Sequence, residues 1–286
     1  TWIDGGVHRV GRREVARCIL PRATHLHARI HGLLWVGAVI AVENLRKSFH
    51  TRKGKVEAVS GVSFQAADGE ITGLLGPNGA GKTTTLRMLY TLMRPQSGRV
   101  LVDGLDATDN PDAVRSCLGV LPDARGLYKR LTARENIEYF GRLHDLDDAT
   151  IGERTARLVE ALEMGEFIDR RTEGFSQGQR TKTAIARALV HDPHNVILDE
   201  PTNGLDVMTT RSMRAFLRNL RAQGSCVLFS SHIMQEVAAV CDRIVVIARG
   251  HVVADGTPNE LRARTGKSNL EDAFVEVIGS DEGLLA

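Results

Sequence analysis

The residues best suited to do chemistry lie in short stretches that are far apart along the chain. In "GPNGAGKT", glycines fall at Gly76, Gly79 and Gly81 around Pro77, Asn78 and Ala80, and the run ends on Lys82 and Thr83, with Thr84 next. It matches G-x-x-x-x-G-K-[ST] and stands between the apolar "ITGLLG" and the helical "TTTLRMLYTL", the strand, loop and helix setting that this phosphate loop requires. The glycines allow successive N–H groups to point inward, and the following helix adds about half a positive charge at its N-terminus. Those donors suit a β-phosphate. Lys82 reaches the β- and γ-phosphates as a point charge, and Thr83 offers a hydroxyl to Mg²⁺, which prefers hard oxygen ligands.

Two more stretches supply acids and a base. The apolar strand "NVILDEP" delivers Asp199 at its carboxyl end, where it can hold Mg²⁺ through water. Glu200 beside it can orient or deprotonate an attacking water. "CVLFSSH" ends in His232, placed to contact the γ-phosphate and that water. A lone histidine is more often structural, and only its company makes His232 a candidate.

The elements that must position these groups are legible in the hydrophobic periods. From Val39 the pattern alternates through "VIAVENLRKSF" and "VEAVSGVSFQA", which predicts strands. A helix is predicted after Lys82 up to Pro95, then a strand at "RVLVDG" and mostly helix over 111–191, broken by a strand at "LGVLP". From Asn195, strands at "NVILD", "CVLFS" and "RIVVIA" alternate with helices over 209–222 and 233–240, and a turn at "RGH" leads into "VVADG". Such alternation implies an α/β fold with a parallel sheet covered on both faces, and the helical middle reads as an inserted lobe.

In that order, these segments resemble the nucleotide-binding subunit of an ATP-binding cassette (ABC) transporter over about 39–256. The resemblance implies a P-loop ABC ATPase core with a parallel sheet, an antiparallel β subdomain and an inserted helical lobe at about 125–190. It makes ATP and Mg²⁺ the cofactors. It matches "FSQGQ", Phe175 to Gln179, to the family's signature loop, "NGLD", Asn203 to Asp206, to its D-loop, and Phe49 to the aromatic that stacks on adenine. Stacking of a base on an aromatic contributes about 1–3 kcal/mol; Phe49 could equally be a core residue.

The resemblance makes this loop a second phosphate-reading turn with no obvious phosphate of its own. In ATPases of this family two subunits face each other head to tail, and each loop completes the ATP site of the other. Ser176 Oγ, the Gly178 N–H, Gln179 and the start of "QRTKTAIARAL" form a donor array suited to a γ-phosphate carried by the partner's P-loop. An ordinary helix N-terminus capped by Ser176 is the local alternative. The resemblance also implies that Asp206 lies in the nucleotide interface, that the chain works as a homodimer, and that a separate membrane permease is its partner.

The chain departs from the family at two places. Phe175 and Gln177 replace the Leu and first Gly of LSGGQ, keeping the serine and second glycine. In "VLPDARGLY", Asp123 stands where most relatives carry the glutamine that touches Mg²⁺. A carboxylate about 4 Å from phosphate oxygens would cost about 4 kcal/mol at an effective dielectric near 20, unless it binds the metal or pairs with Arg125. Asp123 is therefore a third candidate metal ligand beside Thr83 and Asp199, coupling metal occupancy to lobe movement. "PDARGLYKRLTARENIEYFGRLHDL" and "SNLEDAFVEVIG" resemble the NatA-like ATPase subunits of sodium-exporting systems, which would put the permease contact near 125–131 and the chain at the cytoplasmic face of the cell membrane.

Bulk properties set the remaining bounds. The chain has 286 residues, 42% hydrophobic and 25% charged, enough for a sizeable core. A formal charge of +2 gives no field that favours nucleic acid. Cys18, Cys117, Cys226 and Cys241 lack metal-ligand spacing and read as reduced, buried thiols. The longest apolar run, Gly32 to Val42, is too short to span a bilayer. Residues 1–38 hold six Arg and no Lys and read as an extension without fixed structure, 39–265 as the nucleotide-binding domain and 266–286 as a tail. His25, His27 and His31 could bind a transition metal, but no Cys or acid stands near them.

Two other function classes remain open. A soluble ABC ATPase acting on DNA would carry a coiled-coil insert, whereas only 93 residues without heptads separate Lys82 from Ser176. One acting on ribosomes would normally carry two cassettes. A nucleotide-gated scaffold that barely hydrolyses ATP is the third class, and Glu200 argues against it.

Overall fold

The computed structural model describes residues 29–30, 33–34, 38–52, 54–267 and 269–279. The chain divides into two units, Thr1–Val36 and Gly37–Ala286. In the first, β1 (Arg29–Ile30) and β2 (Leu33–Leu34) pair antiparallel. Cys18, His25, His27 and His31 lie outside the described residues.

The second unit opens with two long strands, β3 (Ala38–Thr51) and β4 (Gly54–Ala67), paired antiparallel with several register shifts. The central strand β5 (Ile71–Leu75) follows, then the glycine loop and helix α1 (Lys82–Leu89). The sequence period carries this helix on towards Pro95, but it stops at Tyr90, and Thr91 takes a left-handed φ of 62°. Strands β6 (Ser97–Val102) and β7 (Leu105–Asp106) complete a four-stranded antiparallel sheet of order β4-β3-β6-β7.

Helix α2 (Pro111–Ser116) and strand β8 (Leu118–Leu121) lead into the helical middle, α3 (Ala133–Leu143), α4 (Asp148–Ala161) and α5 (Gln177–Leu189). The chain then alternates through β9 (Asn195–Asp199), α6 (Val207–Ala222), β10 (Cys226–Ser231), α7 (Met234–Val240), β11 (Arg243–Ala248) and β12 (His251–Gly256). Two helices follow, α8 (Pro258–Thr265) and α9 (Leu270–Ile278), the latter packed on α7, α8 and β12.

The second sheet has the order β12-β11-β5-β10-β9-β8, parallel except for β12. Its inner strands are apolar on both faces because both are covered. Alternate residues serve different cores. Ile71, Val196, Leu198, Val227, Phe229, Ile244 and Val246 pack with the helical middle and α6–α7, while Leu74, Ile197, Leu228, Val245 and Ile247 pack with α1 and the antiparallel sheet. One core therefore joins the parallel sheet to the lobe helices, through Ile137, Phe175, Ala184 and Ile185. Burial of so much apolar surface at about 25 cal/mol per Å² is what holds the carboxyl ends of β5, β9 and β10 in register. The three chemistry-bearing loops leave the sheet at those ends, where ligands of open parallel sheets bind. Among the described residues no helix is long and apolar enough to cross a membrane.

Candidate functional site

A cleft of about 560 Å³ opens above these strand ends, lined by Phe49, Ala58, Asn78 to Thr84, Asp123, Glu200, Asn203 and His232. That volume is in the range of small-molecule sites, about 300–1,000 Å³. Its floor is the glycine loop. Gly81 has φ 106°, and a Cβ there would stand 2.4 Å from the Ala58 carbonyl oxygen, so only glycine lets the loop lie this close to β4. Gly76 is as tightly placed, 2.1 Å from the Ile247 carbonyl oxygen by the same measure.

Lys82 is 5% exposed and donates to the carbonyls of Gly76 at 2.7 Å and Pro77 at 3.1 Å. It also pairs with Glu200 Oε1 at 3.5 Å. Burial lowers its affinity for the proton, and the Glu200 charge opposes that shift.

The parallel register sets Ser230 beside Asp199. Ser230 Oγ donates to Asp199 Oδ1 at 2.6 Å and accepts from the Glu200 N–H at 3.0 Å, while Thr83 Oγ1 donates to the same Asp199 oxygen at 3.2 Å. Asp199 is fully buried, yet its Oδ2 has no protein partner. Burial pushes its carboxyl above the ordinary range, opposed by the Ser230 and Thr83 hydrogen bonds. A buried carboxylate oxygen without a donor, beside a threonine hydroxyl, fits a hard divalent cation such as Mg²⁺.

Glu200 follows the strand with φ 49°, a left-handed conformation uncommon outside glycine and concentrated at functional sites. Its Oε2 lies 2.8 Å from His232 Nδ1, so the acid and the histidine read separately in the sequence form one pair. Asp123 faces this cleft and also an adjoining cavity of about 480 Å³ lined by Lys129, Glu173, Gln177 and Arg180. Arg125 does not answer the Asp123 charge with an ion pair; it donates to the main-chain carbonyls of Pro122, Asp199 and Glu200. Phe49, 36% exposed with Lys47 Nζ 6.0 Å from its ring centre, stands at the cleft wall and not in the core.

Ser176, Gly178, Gln179 and Asp206 are not among the residues lining this cleft. Ser176 and Gln179 form a capping box at the start of α5, Ser176 Oγ accepting from the Gln179 N–H at 3.2 Å and Gln179 Oε1 from the Ser176 N–H at 3.1 Å. Asp206 caps α6 by accepting from the Thr209 N–H and hydroxyl at 2.8 and 2.7 Å. Gly178 lies against Thr209, which joins the two caps. Phe175 is 2% exposed and meets Phe167 edge to face at 5.4 Å, so the aromatic at the head of this loop is a packing residue.

A protein-family model described as ABC transporter matches residues 59–203. The chain is 42% identical over 238 residues to ABC transporter ATP-binding protein NatA of Bacillus subtilis (83% of this chain, 97% of the relative). It is 38% identical over 243 residues to Nod factor export ATP-binding protein I of Ralstonia nicotianae (85% and 73%). A bacterial ABC transporter cassette solved as a dimer superposes with TM-score 0.71 at 25% identity, covering 76% of this chain and 98% of that one.

Proposed function

Because this chain belongs to the ABC transporter ATP-binding family of ATPases, we propose that it is the ATP-hydrolysing subunit of an exporter and drives a separate membrane permease through ATP-dependent dimerisation. The observation that carries the reading is the meeting in one cleft of Lys82, the half-partnered Asp199 and the Glu200–His232 pair.

Thr83 and Asp199 would hold Mg²⁺, which when bound neutralises charge on the β- and γ-phosphates. Lys82 exchanges its contact with Glu200 for phosphate oxygens, which frees Glu200 to orient water and accept its proton. His232, held by the other oxygen of Glu200, donates towards the γ-phosphate. Phe49 stacks on the base, while Asn78, Gly79, Ala80, Gly81 and Thr84 direct main-chain donors at the phosphates. Ser176 and Gly178 act on the nucleotide of a second copy, with Asp206 and Gln179 holding their loop in shape. Loss of the γ-phosphate removes the bridge and the pair opens.

The export direction and the permease rest on what the relatives are named for, and sodium is the cargo suggested by the NatA-like loops. The cargo contacts the permease, and the ATPase sits peripherally on the cytoplasmic membrane face.

The test is turnover against binding in two variants. Glu200→Gln retains ATP affinity and loses about 10²-fold or more in turnover, in line with removal of a general base. Lys82→Ala loses ATP affinity itself. Full turnover in Glu200→Gln would overturn the assignment of the base, and unchanged affinity in Lys82→Ala that of the cradle.

A further inference from the structure

Arg125 lies between β8 and α3, on the segment that joins the parallel sheet to the helical middle. Its Nη1 donates to the carbonyls of Pro122 at 2.9 Å and Asp199 at 3.2 Å, and its Nη2 to the carbonyl of Glu200 at 2.9 Å. The last two belong to the tight turn in which Glu200 holds φ 49°. A planar guanidinium can serve several carbonyls at fixed angles, whereas an ammonium is a point donor on a flexible stem.

Arg125 is itself held from the lobe side. Arg187 of α5, 7% exposed, donates to the carbonyls of Gly126 at 2.8 Å and Arg125 at 2.7 Å. Its guanidinium lies 4.5 Å from the ring centre of Phe140 on α3. Two lobe helices thus fix the backbone of Arg125, and Arg125 fixes the backbone of Asp199 and Glu200. At its other end, α5 begins at the Ser176 cap.

We propose that Arg125 is a positioning residue for hydrolysis: it aims Glu200 by clamping the carbonyls of Asp199 and Glu200, and Arg187 anchors the clamp to the lobe. The aim of Glu200 then follows the position of the helix whose first turn meets the partner's nucleotide. This rests on the reading of Glu200 as the base. An arginine that only satisfies buried carbonyls would affect folding, nucleotide affinity and turnover together.

The experiment compares wild type, Arg125→Lys, Arg125→Ala, Arg187→Lys, the Arg125→Lys/Arg187→Lys double variant, Glu200→Gln and Glu200→Gln/Arg125→Lys by thermal melting, fluorescent-nucleotide affinity and steady-state ATPase. Arg125→Lys, which keeps the charge, loses about 10- to 100-fold in kcat, the scale of a misaimed group, with ATP affinity within about 2-fold of wild type. Arg187→Lys falls in the same direction, and the double variant is no worse than Arg125→Lys. In the Glu200→Gln background, Arg125→Lys lowers turnover no further. Arg125→Ala loses at least as much turnover where it folds, and Arg125→Lys decides the matter where it does not.

Wild-type kcat in Arg125→Lys, multiplicative losses in either double variant, or parallel losses of affinity, melting temperature and turnover would overturn the inference. Full activity in Glu200→Gln would instead overturn the reading beneath it, so the two failures are distinguishable.

Discussion

Asp199 shows how a single buried atom can carry a testable charge. Burial raises its pKa in the folded state above the ordinary carboxylate range, so the folded state keeps the proton longer than the unfolded chain. Stability therefore falls as pH rises from that range through the folded pKa, because ionised Asp199 has one oxygen without a partner. Asp199→Asn should raise the melting temperature without ligand by a few degrees, the effect of removing about 1 kcal/mol in a domain of this size. It should also abolish the extra stabilisation that Mg²⁺ gives with ATP. Calorimetry with and without a chelator checks both, and a full Mg²⁺ increment in the variant would contradict the role given to this oxygen. At Asp123, Gln substitution should change the Mg²⁺ concentration dependence of ATPase activity, and an unchanged dependence would remove it as a ligand. The P-loop and "LDE" acids were legible in the sequence because their chemistry needs particular residue types side by side. Arg125 was not legible as a clamp, since it acts on main-chain carbonyls 74 and 75 positions away and so demands no particular partner residue. The exchange of Leu for Phe at 175 becomes explicable only with Phe167 beside it.

At the scale of elements, the alternation of strand and helix from Asn195 was readable because continuous apolar runs bounded by turns leave little choice. The end of α1 was not, because its apolar period runs past the left-handed turn at Thr91. Nor does any sequence period reveal that α3 and the end of α5 meet through His144 and His191, stacked with ring centres 3.8 Å apart and planes 2° from parallel. His191 Nε2 also contacts the Leu118 carbonyl at 3.2 Å. Burial, with His144 adding to it, pushes the His191 pKa from 6.5 down to about 3. The folded state thus keeps this ring neutral while the unfolded chain takes up a proton, so its contribution is intact above about 6.5 and declines as pH falls towards 3. Melting curves of wild type and His191→Gln should converge as pH is lowered through that window. Parallel curves would show that the stack does not titrate this way.

At the scale of the whole molecule, the chain carries the proposed phosphate cradle on the parallel sheet and a capped loop at the start of α5, and that loop does not line the cradle's cleft. Both halves were readable as motifs, but their separation within one chain is a matter of tertiary placement that spacing along the sequence does not encode. A second copy, turned head to tail, would bring each loop to the other's nucleotide. The mass in solution of the Glu200→Gln variant, with ATP and Mg²⁺ and with neither, tests this most directly. The account predicts a dimer with nucleotide and a monomer without it, and loss of the dimer when Gly178 is changed to Asp; a Glu200→Gln protein that binds ATP yet stays monomeric at every concentration would contradict it.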